Sequence, residues 1–288
     1  MDPEDLVRAA RTGDRRAVAK LISLVETGGA AADAASAALY PATGRAYTIG
    51  ITGAPGAGKS TLTDALVGRL RADGIEVGVL AVDPTSPFSG GAILGDRVRM
   101  GTRATDPGVF IRSMATRGHL GGLALATPQA IRVLDAAGMP WVLVETVGVG
   151  QVEVEVAAAT DTTVVVLNPG WGDAVQAAKA GLMEIADVFV VNKADRPGAD
   201  DAERDVRQVL GMGAARDWTP PVVRAVATTG EGVDEVWATV RAHREYLEAT
   251  GRLAAQRRDR LRAEVRAIAV ARLAARVDAW ARSPAFEA

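Results

Sequence analysis

Tyr47-Thr-Ile-Gly-Ile-Thr-Gly-Ala-Pro-Gly-Ala-Gly-Lys-Ser60 decides how the rest of the chain is read. Its opening, Tyr47–Thr52, is a short apolar and β-branched run suited to a buried strand. Gly53-Ala54-Pro55-Gly56-Ala57-Gly58-Lys59-Ser60 then fits G-x-x-x-x-G-K-[S/T], and Thr61–Arg71 continues with helical spacing. Glycines let such a loop wrap an anion, so that successive amides and the helix N-terminus point at phosphate oxygens. Lys59 is placed to reach β- and γ-phosphates, and the Ser60 hydroxyl to ligate Mg²⁺.

Working outward, six further short apolar runs alternate with helical stretches: Val77–Val82, Val109–Arg112, Trp141–Glu145, Thr163–Leu167, Val188–Asn192 and Val222–Ala227. Runs this continuous are buried on both faces, and strand alternating with helix implies an α/β fold with a mostly parallel sheet. Before the sheet, residues 5–26 read as two short helices broken and capped at Gly13-Asp14, with Gly28-Gly29 closing that region. After Val233 the strands stop, and residues 252–282 read as one long helix whose Leu261, Val265, Ile268, Leu273, Val277 and Trp280 form a broken 3-4 stripe. That helix either packs on its own domain or extends as a dimerisation arm. The expected division is an N-terminal helical segment over 1–45, a nucleotide-binding domain over 46–232 and C-terminal helices over 233–288.

Composition removes several chemistries. A net charge of −2 supplies no basic field for nucleic acid or anionic lipid. With no cysteine and two histidines, His119 and His243, there are no disulfides and no thiolate zinc sites, so any metal is a hard ion held by oxygens. No run reaches the length of a membrane span and the N-terminus carries acids without an apolar core, which makes the cytoplasm the expected location. Only four of the 33 basic residues are lysine, namely Lys20, Lys59, Lys179 and Lys193.

Other motifs fall at strand ends. Asn192-Lys193-Ala194-Asp195 reads N-K-x-D, and an aspartate there accepts from both the ring N–H and the exocyclic amine of guanine, a donor pair adenine lacks. Glu145-Thr146-Val147-Gly148 supplies a carboxylate toward the metal and a glycine toward the γ-phosphate. Val149 follows where Ras-like enzymes carry the water-orienting glutamine, so hydrolysis is expected to be slow unless Gln151 or a partner protein positions the water. Asp83 and Asp96 bracket a Pro-, Gly- and Ser-rich stretch and can join the Mg²⁺ shell. Trp171, in Asn168-Pro-Gly-Trp-Gly-Asp173, is either a core plug or a partner contact.

Taken together, these motifs make the chain resemble the SIMIBI branch of P-loop GTPases, and within it the MeaB/ArgK/MMAA type, from about Gly13 to Tyr246. The likeness is carried by Thr12-Gly-Asp-Arg-Arg-Ala-Val-Ala-Lys-Leu-Ile, Gly53–Thr61, Asp83-Pro84 with Gly90–Arg97, Arg112-Ser-Met-Ala-Thr-Arg-Gly-His-Leu-Gly-Gly, Glu145–Gln151 and Asn192–Asp195. It implies a GTP/GDP-binding, Mg²⁺-dependent GTPase that gates adenosylcobalamin loading and protects an adenosylcobalamin-dependent acyl-CoA mutase, working as a homodimer joined through its C-terminal arm. It further implies that Lys59, Asp83 and Glu145 act at the phosphates and that Ser60, Asp83, Asp96 and Glu145 surround the metal. Gly53–Thr61, Gly148, Asn192, Lys193, Asp195 and the backbone of Val226-Ala227-Thr228 would hold the nucleotide, and Asp173, Gln176 and Lys179 would relay its state to the mutase. Val226-Ala227 stands where relatives often have Ser-Ala, and Trp171 is bulkier than the expected switch residue. A metallochaperone of the same superfamily would need Cys/His sites this chain lacks, and a small-molecule kinase or transport-linked ATPase would have no use for Asn192–Asp195.

Overall fold

A computed structural model describes residues 2–83, 103, 105–115, 122–146, 151–170, 181–212, 217–282 and 286. Seven strands make one sheet: β1 (Tyr47–Gly53), β2 (Val77–Asp83), β3 (Val109–Ala115), β4 (Trp141–Thr146), β5 (Thr162–Leu167), β6 (Val188–Asn192) and β7 (Val222–Ala225). Their order is β3-β2-β4-β1-β5-β6-β7, and every pair is parallel. β1, β4, β5 and β6 are buried along their whole length, as their continuous apolar runs require. The expected strand over Val222–Ala227 ends at Ala225, because Val226 turns away into a bridge with Glu231.

The two faces of the sheet are covered by different helices. On one, Ile49, Ile51, Val79 and Leu143 pack with Leu62, Leu66 and Leu70 of α4 (Lys59–Ala72) and with Val236, Trp237 and Val240 of a later helix, α8 (Val233–Ala249). On the other, Leu80, Val82, Val142 and Val144 meet α5 (Gly122–Ala136), and Val156 of α6 (Gln151–Ala159) joins them. Three N-terminal helices belong to that same core: α1 (Pro3–Arg11), α2 (Arg15–Thr27) and α3 (Ala30–Leu39). Toward β6 and β7, Phe189, Val191 and Val222 pack on Val206 of α7 (Ala199–Met212).

Asp14 caps α2, its carboxylate accepting from the Arg16 and Ala17 amides at 2.8 and 3.2 Å. Gly28-Gly29 does not close the helical region; it separates α2 from α3. The Ala-rich segment 30–39 forms a helix through the propensity of alanine and buries Ala32, Ala35 and Leu39, a weak stripe beside those of α1 and α2.

α9 (Arg252–Ala281) is the long helix, and its two halves differ. Near its start, Arg257 and Arg260 both bond the Asp161 carboxylate, and Arg257 also donates to the Gly44 and Ala46 carbonyls at 2.9 and 2.8 Å. Burial alone would raise the Asp161 pKa, but the two guanidinium groups outweigh it and hold the carboxyl below the ordinary range. One turn on, Glu264 makes a forked pair with Arg132 of α5. Beyond Glu264, Val265, Val270, Leu273, Val277 and Trp280 are all more than half exposed.

Candidate active site

The chemistry-bearing residues gather at the carboxyl ends of the central strands. β1 runs into the loop Ala54–Gly58, which leads directly into α4, whose first-turn amides have no intrahelical acceptor. Gly53 has φ +134°, and a Cβ there would lie 2.1 Å from the Val166 carbonyl oxygen of β5. Gly58 has φ +92°, and its Cβ would lie 2.3 Å from the Asn192 amide nitrogen. No other residue fits either place.

Lys59 is 6% exposed, and its ammonium donates to the Gly53 and Ala54 carbonyls at 2.8 and 3.0 Å. The cation therefore lies over the mouth of its own loop. Burial depresses its pKa, while the carboxylates of Glu145 and Glu153 act in the opposite direction. Glu153, on α6, escaped the reading of the sequence; burial raises its pKa, with the Lys59 charge opposing. Its only sequence signal is its place in the first turn of the helix that follows the Glu145 motif.

Glu145 pairs in register with Ile51 of β1 and Ala81 of β2, at the centre of the sheet. Its carboxylate, 7% exposed, accepts a hydrogen bond from the Ser60 hydroxyl. Beside them the Thr52 and Thr146 hydroxyls bond each other at 3.0 Å, fixing the ends of β1 and β4. Two hard oxygens in contact suit one Mg²⁺ ion, whose neighbouring octahedral ligands stand about 3 Å apart. Among the described residues no three His, Cys, Asp or Glu side chains converge as a cage. Asp83 ends β2, one position beyond the Val82–Thr146 pair, so its backbone arrives at the same edge.

Asn192 joins the second motif to the first. It is 1% exposed; its amide donates to the Ala57 carbonyl at 2.9 Å, and its carbonyl accepts from the Ala227 amide at 3.1 Å. One side chain thus ties the phosphate loop to the segment expected beneath guanine, and it uses the Ala227 amide to do so. Lys193, the one described non-glycine residue at positive φ, +58°, extends to the Gly56 carbonyl at 2.6 Å. Asp195 and Thr228 stand exposed on either side. Gly148, Val149, Asp96, Trp171, Asp173, Gln176 and Lys179 lie outside the described residues, as does the side chain of Gln151.

A phosphate loop locked to an N-K-x-D turn is the arrangement of a guanine-nucleotide site, and the family model described as methylmalonyl-CoA mutase-associated GTPase MeaB matches residues 18–282. The chain belongs to the MeaB family of GTPases. A Pyrococcus horikoshii protein is 53% identical over 286 residues, covering 96% of this chain and 88% of its own length. GTPase ArgK of Escherichia coli is 38% identical over 258 residues, 86% of this chain and 77% of that one. The crystal structure of an LAO/AO transport system kinase superposes with a TM-score of 0.78 at 29% identity, over 99% of this chain and 88% of that one. The seven-stranded parallel sheet is that of the SIMIBI P-loop GTPases, and this MeaB-family protein is a GTPase that binds guanine nucleotide.

Proposed function

We propose that this MeaB-family GTPase is the chaperone of an adenosylcobalamin-dependent acyl-CoA mutase, gating cofactor loading and protecting the loaded enzyme. The observation that carries the nucleotide half of this reading is Asn192, whose side chain couples the phosphate loop to the guanine-reading turn. The mutase half is supported by the description of the family. Lys59 and the amides of Gly53–Thr61 bind and orient the phosphates, Asp195 reads the guanine edge, and Gly148 contacts the γ-phosphate. Ser60, Asp83, Asp96 and Glu145 would hold Mg²⁺, which when bound neutralises developing charge on the phosphate oxygens. Asp173, Gln176 and Lys179 would report the nucleotide state to the mutase.

The chain is read as a nucleotide-binding domain over 46–232 between an N-terminal helical segment and a C-terminal arm. The exposed stripe of α9 from Val265 to Trp280 supports homodimerisation through that arm. Among the described residues no helix is long and apolar enough to cross a membrane, and a cytoplasmic place of action is part of the same reading. With Val149 where a water-orienting glutamine would stand, GTP turnover by the isolated protein is slow and rises with the cognate mutase. A turnover assay with and without an adenosylcobalamin-dependent acyl-CoA mutase, using Lys59→Ala as the blank, tests it. Turnover that the mutase leaves unchanged, or that survives in full in Lys59→Ala, refutes the reading.

A further inference from the structure

β1 and β5 run side by side from the Ile49–Thr162 pair to the Gly53–Val166 pair, and the two ends of this ladder differ in tolerance. At the carboxyl end the chain leaves β1 for the phosphate loop at Gly53, where a Cβ would lie 2.1 Å from the Val166 carbonyl oxygen. A crossing this close has no slack, so the place of the loop depends on how β1 lies beside β5. At the amino end the Thr48 amide donates to the Asp161 carboxylate at 3.0 Å, and the Asp161 amide donates to the Thr48 hydroxyl at 2.8 Å. These bonds and the ladder fix register. They leave the angle between the strands adjustable, since the twist of neighbouring strands ranges from about 10° to 35° among sheets.

One side chain of α9 crosses the pair at its amino end. Arg257 donates to the Gly44 and Ala46 carbonyls, in the segment leading into β1, at 2.9 and 2.8 Å. The same guanidinium donates to the two oxygens of Asp161, the residue before β5, at 3.1 and 2.6 Å. Asp135 of α5 holds the segment from its other side, accepting from the Gly44 and Ala46 amides at 2.5 and 2.9 Å. Arg260 bonds the Asp161 carboxylate too, but makes no bond to residues 44–46. The fork of Arg257 is therefore what joins the start of β1 to the start of β5. β1 is about 20 Å long, so a change of about 3° in its angle to β5 moves the phosphate loop by about 1 Å. Displacements of that size at a phosphate-binding or catalytic geometry cost up to about a hundredfold.

We propose that Arg257 is a positioning residue for the phosphate loop: by bridging the segment before β1 and the carboxylate before β5, it sets the angle between the two strands and so the place where the loop receives the β-phosphate. It acts through the length of β1, from the opposite edge of the sheet to the nucleotide. The test compares GDP with GMP, which lacks the β-phosphate, by competition against a fluorescent GDP analogue on the full chain, at a temperature where circular dichroism shows each variant folded. Arg257→Gln loses the fork. Arg257→Lys keeps a cation beside Asp161, and with it the fold, but one ammonium cannot reach Gly44, Ala46 and Asp161 together. Both variants weaken GDP about tenfold and GMP less than twofold. Arg260→Gln is the control: it removes a bond from the same buried carboxylate without touching the segment before β1, and leaves both affinities within twofold of wild type. A structural role alone would not separate GDP from GMP or Arg257 from Arg260. GDP affinity within threefold of wild type in both Arg257 variants, equal losses for GDP and GMP, or the same GDP loss in Arg260→Gln would overturn the proposal.

Discussion

Replacing Asn192 by aspartate changes one atom and reverses one hydrogen bond. The amide nitrogen that donates to Ala57 O at 2.9 Å, and lies 3.4 Å from Gly58 O, becomes an oxygen facing two carbonyl oxygens. The other oxygen keeps its bond from the Ala227 amide. At 1% exposure the new carboxylate has little water to compensate it. Losing the buried hydrogen bond costs about 1–3 kcal/mol, and placing a charge against unpaired acceptors adds to that, for a total of about 3 kcal/mol. Because the carbonyls belong to the phosphate loop, most of this appears as displacement of that loop. Affinity for guanine nucleotide should fall by about two powers of ten at pH 7.5, read by titration with a fluorescent GDP analogue. The effect carries its own control. Burial raises the carboxyl pKa, and the protonated acid regains a donor, so nucleotide affinity of Asn192→Asp should recover as pH is lowered toward 5 while the wild-type value changes little. Affinity within threefold of wild type at pH 7.5, or a loss unaffected by pH, refutes the claim that Asn192 holds the two motifs together by donating to the loop.

Two further outcomes follow from single side chains. Asp195→Asn cannot accept from both guanine donors but can donate to the extra carbonyl of xanthine, so competition binding should shift from GTP toward xanthosine triphosphate; unchanged GTP selectivity counts against its assignment. Asp161→Asn leaves Arg257 and Arg260 without their carboxylate in a site 1% exposed on the Asp161 side, which should cost about 3 kcal/mol in urea unfolding at pH 7. Since the folded-state pKa of Asp161 is depressed, that stabilisation is complete above the ordinary carboxylate pKa of about 3.9 and is lost only as pH falls below it. The wild-type to mutant difference should therefore be constant from pH 5 to 8, and a loss of less than about 1 kcal/mol, or one that varies across that window, would sink the account.

All seven strands were legible because each is a compact apolar run, and the phosphate loop because its glycines and Lys59 have a fixed spacing. The helix over 30–39 was not legible, since alanine carries helical propensity without a clear stripe and the Gly-Gly before it imitates a terminus. At the site, Lys59, Ser60, Glu145 and Asn192 were singled out by residue type and motif spacing, but the Ser60–Glu145 contact and the Asn192 bridge join residues 85 to 135 positions apart. Spacing along a chain does not contain such distances. Neither of the two readings offered for the long helix is decided by its contacts: Arg257, Arg260 and Glu264 tie its first half to the body and Arg272 pairs with Asp33 of α3, while Val265, Leu273, Val277 and Trp280 are exposed.

Sheet order explains why the two motifs meet and why two glycines are required. β1 carries the phosphate loop and β6 the N-K-x-D turn, with only β5 between them, so their carboxyl ends are about 10 Å apart. To reach β6 the loop must first pass over the end of β5, and there Gly53 lies so close to Val166 that any Cβ would strike its carbonyl. It must then meet β6, and there Gly58 lies against the Asn192 amide, where a Cβ would displace the donor that bonds Ala57. The first glycine is required by the crossing and the second by the bridge. Alanine at Gly58 should therefore reproduce much of the nucleotide-binding defect of Asn192→Asp, since both changes remove the same contact from opposite sides, but without recovery at low pH, because no titrating group has been introduced.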